Sequence, residues 1–319
     1  MRDKKDKLNI PEPARADERK EPLPWNTPKS SVEDPECPSK LQAIFESPSY
    51  VPAIEDIDFL NGDDARGVRL QLDYLKPDRV LKEHGIKHTI VVFGSTRIVE
   101  PLAAKSKVDK LHDALAEKPE SKTLQQRLRI AERILDKSQY YHVARDFSRM
   151  VADAGGGPGD SRLVVMTGGG PGIMEAANRG AHDVQGQTVG LNITLPHEQY
   201  PNPYVTPELC FQFHYFSLRK MHFMLRARAL VAFPGGYGTF DELFETLTLI
   251  QTRKIKPIPV VLVGESYWRK AFDVDFLVEE GVIDIEDREL FWYAETAEEI
   301  WNGLQSWCRC EGNNLIDDE

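Results

Sequence analysis

Short apolar runs and amphipathic stretches alternate along most of this chain. "HTIVVFG" (88–94), "RLVVMTGGG" (162–170), "QTVGLNI" (187–193), "ALVAFPGG" (229–236) and "IPVVLVG" (258–264) are apolar, rich in β-branched residues and carry glycine. Between them, residues 140–153, 172–184, 217–228 and 239–252 place apolar side chains at helical spacing. Continuous apolar strands alternating with helices predict a parallel sheet covered on both faces. The expected fold is α/β, a doubly wound Rossmann-like parallel sheet whose ligands sit beyond the carboxyl ends of the strands.

The rhythm changes on either side of this repeat, and once inside it. Residues 1–40 are rich in Lys, Asp, Glu and Pro and poor in apolar side chains, which predicts a disordered tail. Residues 41–84 read as an N-terminal helical layer. Val68, Leu72 and Leu75 fall on one stripe, Pro77 restarts the helix and Gly85 ends it. Residues 85–310 form the Rossmann-like domain, and 311–319 a C-terminal tail. A charged stretch at 101–139, with Leu124, Leu128, Ala131 and Leu135 at helical spacing, predicts a helical insertion after the first strand. Residues 296–307 predict a closing helix with Ile300 and Leu304 inward. In 217–228, Met221, Met224 and Leu225 are expected to face inward.

Charge and composition narrow the functional classes. A formal net charge of −11 over 319 residues disfavours a nucleic-acid partner, which needs a basic face. A small anion needs only local donors. No apolar run is long enough for a membrane span, and the first residues lack the apolar segment of a secretory signal. Cys37, Cys210, Cys308 and Cys310 have neither disulfide-framework nor zinc spacing, and His182, His197, His214 and His222 have no metal-ligand spacing. The expectation is a cytoplasmic protein with reduced thiols and no bound metal.

Two glycine loops carry the chemistry. In "TGGGPGIMEAANRGA" (167–181), Gly168, Gly169 and Gly170 let the backbone approach an anion closely, and Gly172 opens a helix whose positive end faces the loop. Met174 and Glu175 follow in its first turn. "PGGYGT" (234–239) repeats the device, with Pro234, Gly235, Gly236 and Gly238 in the loop and Thr239 adding a hydroxyl. The two loops are expected on neighbouring strands, enclosing one phosphate. Glu242 follows with Asp241 and Glu245 beside it. Acids in a helix's first turn are ordinary, but the face of Glu242 looks toward the strand ends. Arg219 and Lys220 open the helix before that strand, and "GSTR" (94–97) puts Ser95 and Arg97 at the same edge, where they could bind ribose or phosphate.

These stretches, with "LRK" (218–220) and the complete PGGxGTxxE pattern from Pro234 to Glu242, resemble the Lonely guy family over about residues 86–306. That family comprises cytokinin riboside 5'-monophosphate phosphoribohydrolases and related nucleotide nucleosidases, often labelled lysine decarboxylases. The resemblance implies a Rossmann-like homodimer without a cofactor. It would cleave the N-glycosidic bond of a nucleoside 5'-monophosphate, AMP or an N6-modified AMP, to free base and ribose 5-phosphate. It places Glu242 and Arg219 as the catalytic pair and the glycine loops at the phosphate site; Ser95, Arg97, Met174, Glu175, Lys220 and Thr239 are the other expected substrate contacts. The N-terminal layer, the 101–139 insertion and "FSLRK" depart from compact members. Three other readings stay open: a non-catalytic nucleotide sensor, a pyridoxal-phosphate decarboxylase using Lys220, and a dinucleotide-dependent oxidoreductase.

Overall fold

A computed structural model describes residues 21, 23–154, 160–196, 200–310, 312 and 315. The tail expected at 1–40 therefore falls in part outside the described residues, as do His197 and most of 311–319. The chain divides into two compact units, up to Arg66 and from Gly67 onward. The first holds α1 (Cys37–Phe45), which begins inside the stretch expected to be a tail, and α2 (Ile57–Asn61), capped by the Asp56 carboxylate on Phe59 N–H at 2.9 Å.

From α3 (Arg66–Glu83) the order is β1 (His88–Phe93), α4 (Pro101–Glu117), α5 (Lys122–Lys137), α6 (Gln139–Ala154), β2 (Leu163–Thr167), α7 (Ile173–Asp183) and β3 (Thr188–Ile193). Then follow β4 (Cys210–Phe213), α8 (Phe216–Leu225), β5 (Ala227–Ala232), α9 (Tyr237–Gln251), β6 (Val260–Val263), α10 (Glu265–Ala271), α11 (Val274–Glu279), β7 (Trp292–Ala294) and α12 (Ala297–Cys310). The strands form one sheet in the order β4-β3-β2-β1-β5-β6-β7, every pair parallel. This is the doubly wound sheet that the alternation predicts. From β1 the chain winds outward to β4, then returns beside β1 as β5 and winds the other way. The switch point thus lies between β1 and β5.

Both faces of the sheet are sealed, which is why its strands read as unbroken apolar runs. One core joins Ile90, Val92, Val165 and Val231 to Phe147 of α6, Ala176 of α7 and both Ile300 and Leu304 of α12. The other joins Val91, Met166, Leu191 and Leu230 to Leu81 of α3, Phe223 of α8, Leu243 of α9 and Trp268 of α10. Each such aliphatic or aromatic side chain contributes about 1.5–3 kcal/mol by burial. The insertion pairs α4 with α5 around a small core of its own, built from Val108, Leu128 and Ala131.

Several local expectations are corrected. α3 runs through Pro77 without restarting; Pro77 is buried, and the helix continues past the one hydrogen bond it cannot donate. Gly85 does end the helix, with Ile86 N–H on the Leu81 carbonyl at 2.9 Å and Gly85 N–H on that of Lys82 at 3.0 Å. Val68, Leu72 and Leu75 are exposed, and the buried positions of α3 are Pro77 and Leu81. In α8, Met221 and Leu225 are exposed while His222 and Phe223 point inward. The two glycine loops do not follow neighbouring strands, because β1 lies between β2 and β5.

Candidate functional site

Three loops leave the carboxyl ends of β2, β1 and β5 and are tied through Ser95. Its N–H donates to the Pro234 carbonyl at 3.0 Å, and its own carbonyl accepts from Ile173 N–H at 3.2 Å. Its hydroxyl accepts from Arg97 N–H at 3.1 Å. Gly172 makes the crossing possible: its φ is +75°, and a Cβ there would run into the backbone of Ser95 and Thr96.

Over these loops lies a cavity of about 640 Å³. Ser95, Arg97, Gly168, Met174, Arg219, Pro234, Gly235, Gly236, Gly238 and Thr239 line it, so ten of the sequence-derived candidates converge at the switch point. Gly236 caps α9 without a side chain, and both Gly236 and Gly238 are exposed with open space beside them. The free N–H groups of the first turn of α9 are therefore open to an anion, and the helix dipole favours one there.

Other candidates stand off the cavity. Gly169 and Gly170 are held from behind. Gly169 N–H donates to the Thr167 hydroxyl at 2.9 Å, and Asn202 donates to the carbonyls of Gly169 and Gly170 at 2.8 and 3.0 Å. Asn202 also donates to Asn178 Oδ1 at 2.9 Å, which accepts the Thr167 hydroxyl at 2.7 Å. Thr167, Asn178 and Asn202 thus form a buried polar scaffold under the loop. Sequence reading missed it, since lone asparagines carry no spacing signal. Glu175 accepts the Tyr141 hydroxyl at 2.7 Å. Lys220 bridges Asp241 at 2.9 Å and Glu245 at 3.1 Å.

Glu242 is 6% exposed and is absent from the described lining. α9 begins at Tyr237 and has no acid in its first turn, so Glu242, Asp241 and Glu245 are not the first-turn acids the sequence suggested. Burial pushes the Glu242 carboxyl up to about 7, against the pull of Arg219 and Lys220 and with the push of Glu245 and Asp241. Arg219 is the link to the cavity. It lines the cavity, interacts electrostatically with Glu242, and stacks over the rings of Phe216 and Phe223 at 5.8 and 5.3 Å. Its Nε is buried without a hydrogen-bond partner. A cationic group thus links the cavity to a carboxyl poised near neutrality.

The lining also holds residues the sequence did not flag. Ile134 and Lys137 come from α5, so the insertion reaches the cavity, and Tyr267 of α10 donates its hydroxyl to the Gly235 carbonyl.

The architecture is that of a doubly wound α/β sheet with a cavity at its switch point. Comparison with known proteins bears out the likeness to the Lonely guy family. The sequence profile of the family described as "Possible lysine decarboxylase" matches residues 174–304. A cytokinin riboside 5'-monophosphate phosphoribohydrolase of Arabidopsis thaliana is 29% identical over 142 residues, 44% of this chain and 65% of that protein. A probable enzyme of the same name from Oryza sativa subsp. japonica is 30% identical over 139 residues, 43% and 55% of the two chains. The chain therefore spans less than two thirds of the length of these relatives. A solved structure, of a Moco carrier protein from Chlamydomonas reinhardtii, covers 69% of this chain and 96% of its own at 19% identity and a TM-score of 0.39. At that score the superposition is loose, and the fold assignment rests on the sheet topology itself.

Proposed function

We propose that the chain hydrolyses the N-glycosidic bond of a nucleoside 5'-monophosphate, AMP or an N6-modified AMP, to free base and ribose 5-phosphate. The observation that carries this reading is the buried Glu242, held near pH 7 beside Arg219 at an anion cavity. The 5'-phosphate sits on the first turn of α9 and the Pro234–Thr239 loop. Arg219 orients the phosphate–ribose unit. The bond from C1' to the base nitrogen breaks as positive charge develops on the ribose ring. The oxygen of water bonds to C1', and the proton it loses reaches the departing base directly or by way of Glu242. Glu242 stabilises that charge or accepts the water's proton, a role suited to a carboxyl titrating close to the working pH. The names of the two plant relatives support the substrate class.

A second reading has its own observation. Glu242 lies behind the lining, which favours a nucleotide-binding protein that does not turn its ligand over. Incubation with a panel of nucleoside 5'-monophosphates, with free base measured chromatographically, separates the two. Base release from at least one nucleotide, and not from its nucleoside, is the expected result. Binding without release would establish the second reading.

The family description invites a pyridoxal-phosphate enzyme, and the residues do not fit one. Lys220 is the Schiff-base candidate. Burial acts to lower its pKa, but hydrogen bonds to Asp241 and Glu245 outweigh that and hold it above its ordinary value. No Asp or Glu is among the described residues lining the cavity, so a pyridinium nitrogen finds no partner.

We also assign the chain as a cytoplasmic homodimer. The four cysteines lack disulfide-framework spacing, which supports a reducing compartment, and exposed Phe216, Leu225 and Phe244 on α8 and α9 support self-association. No helix among the described residues is long and apolar enough to cross a membrane.

A further inference from the structure

Beside the main cavity opens a second cleft of about 850 Å³, and Lys137 and Tyr267 line both. Arg133 and Lys270 complete its charged lining, and no acid is among the described residues around either space. In a chain of net charge −11, five cations (Arg97, Arg133, Lys137, Arg219 and Lys270) thus border one continuous acid-free surface. Among the described residues no carboxylate pairs with Arg133, Lys137 or Lys270, and Lys137 reaches only the Arg133 carbonyl, at 3.1 Å. A cation in the last turn of a helix needs no ligand to explain it, since the helix dipole favours it. That accounts for Lys137 or Lys270 singly. It does not account for Arg133 and Lys137 one turn apart on α5, where like charges repel, nor for Lys270 of α10 converging on the same cleft.

The direction of the cleft indicates what it holds. Tyr267 is bonded to the carbonyl of Gly235, and Phe240 follows Thr239 on α9, so the cleft opens on the phosphate-loop side of the main cavity. A ligand that extends into it extends from its 5'-phosphate. We propose that this site takes nucleoside 5'-diphosphates, with the distal phosphate held by Arg133, Lys137 and Lys270. This rests on the nucleotide reading above, and deepens it. The insertion then acts in specificity, since α5 supplies two of the three cations.

The test is calorimetric titration of the full chain with matched 5'-monophosphates and 5'-diphosphates of adenosine, guanosine, cytidine and uridine. The same titrations are run on the double variant Arg133→Gln/Lys270→Gln. Lys137 is left intact because it also lines the main cavity. For the preferred base, the diphosphate should bind wild type about tenfold tighter than the monophosphate, the scale of added charge-assisted contacts. The double variant should lose that advantage and keep its monophosphate affinity. Monophosphate binding with no diphosphate advantage, or a variant that weakens both ligands equally, overturns this inference alone. No binding in any matched pair overturns the nucleotide reading with it.

Discussion

At the scale of the residue, the proposed reaction turns on one carboxyl. Replacing Glu242 by Gln keeps its shape and removes its charge. Turnover should fall by about a hundredfold or more, the scale of a lost acid–base group. Nucleotide affinity should hardly change, because the proposed anion site is built from the loop and first turn of α9, and Glu242 is not among the described residues lining the cavity. Glu245→Gln, on the same helix but engaged with Lys220, should lose far less; equal losses in steady-state assays would show that the wrong carboxyl has been named. The same substitution makes a stability prediction. An unfolded glutamate titrates near 4.5 and Glu242 in the fold at about 7. Between those values the folded chain binds a proton that the unfolded chain has released, so stability falls as pH rises. The contribution is fully present below 4.5 and is lost through 7. Glutamine cannot ionise, so above pH 7 the variant should be more stable, on the order of 3 kcal/mol, because a tenfold change in proton affinity is worth about 1.36 kcal/mol. The advantage should vanish as pH falls to 4.5. Urea unfolding of both proteins across pH 4.5–8 checks this, and a constant difference would contradict the burial argument.

At the scale of the element, α3 is fastened to the start of β5 by charge. Arg226 donates to Asp78 at 2.7 Å, with the two side chains 10% and 14% exposed. Lys82 and then Arg226 hold the Asp78 carboxyl below the usual range by hydrogen bonding. Arg226→Met should cost about 1.5–3 kcal/mol, the scale of one lost charged hydrogen bond, because Asp78 keeps Lys82 at 2.7 Å as its other partner. Arg226→Met/Asp78→Asn should cost less than the single change; denaturant midpoints measure both, and simple additivity would mean the pair is not coupled. The elements legible in the sequence were those with a strong period. All five strands read there are present, since runs such as "HTIVVF" are buried on both faces. β4 and β7 were missed because "CFQF" and "WYA" are short edge strands without such a run. The glycine loops were legible because they end buried strands. The Asn178–Asn202 scaffold and the reach of Lys137 were not, because residues distant in sequence meet only in the folded chain. The depth of Glu242 was misjudged for a related reason: helical periodicity gives a face, and only packing gives burial.

At the scale of the whole molecule, assembly and independence of the parts are both testable. Light scattering should give twice the 36.2 kDa chain mass at micromolar concentration; a monomer would count against the packing of α8 and α9 on a second copy. The sharper prediction concerns residues 1–66. The buried members of all three hydrophobic clusters run from Leu81 to Leu315, and every strand, loop and helix around the cavity lies beyond Gly67. A cut after residue 40 would divide α1, whereas a cut after Arg66 follows the boundary between the compact units. The chain lacking residues 1–66 should therefore keep its sheet, both cores and its glycine loops. Its melting temperature should fall by no more than about 4 °C, the scale of 1 kcal/mol in a domain of this size. Base release should persist with unchanged nucleotide affinity. A fall several times larger, or loss of nucleotide binding with the fold intact by circular dichroism, would show that the first unit supports the second.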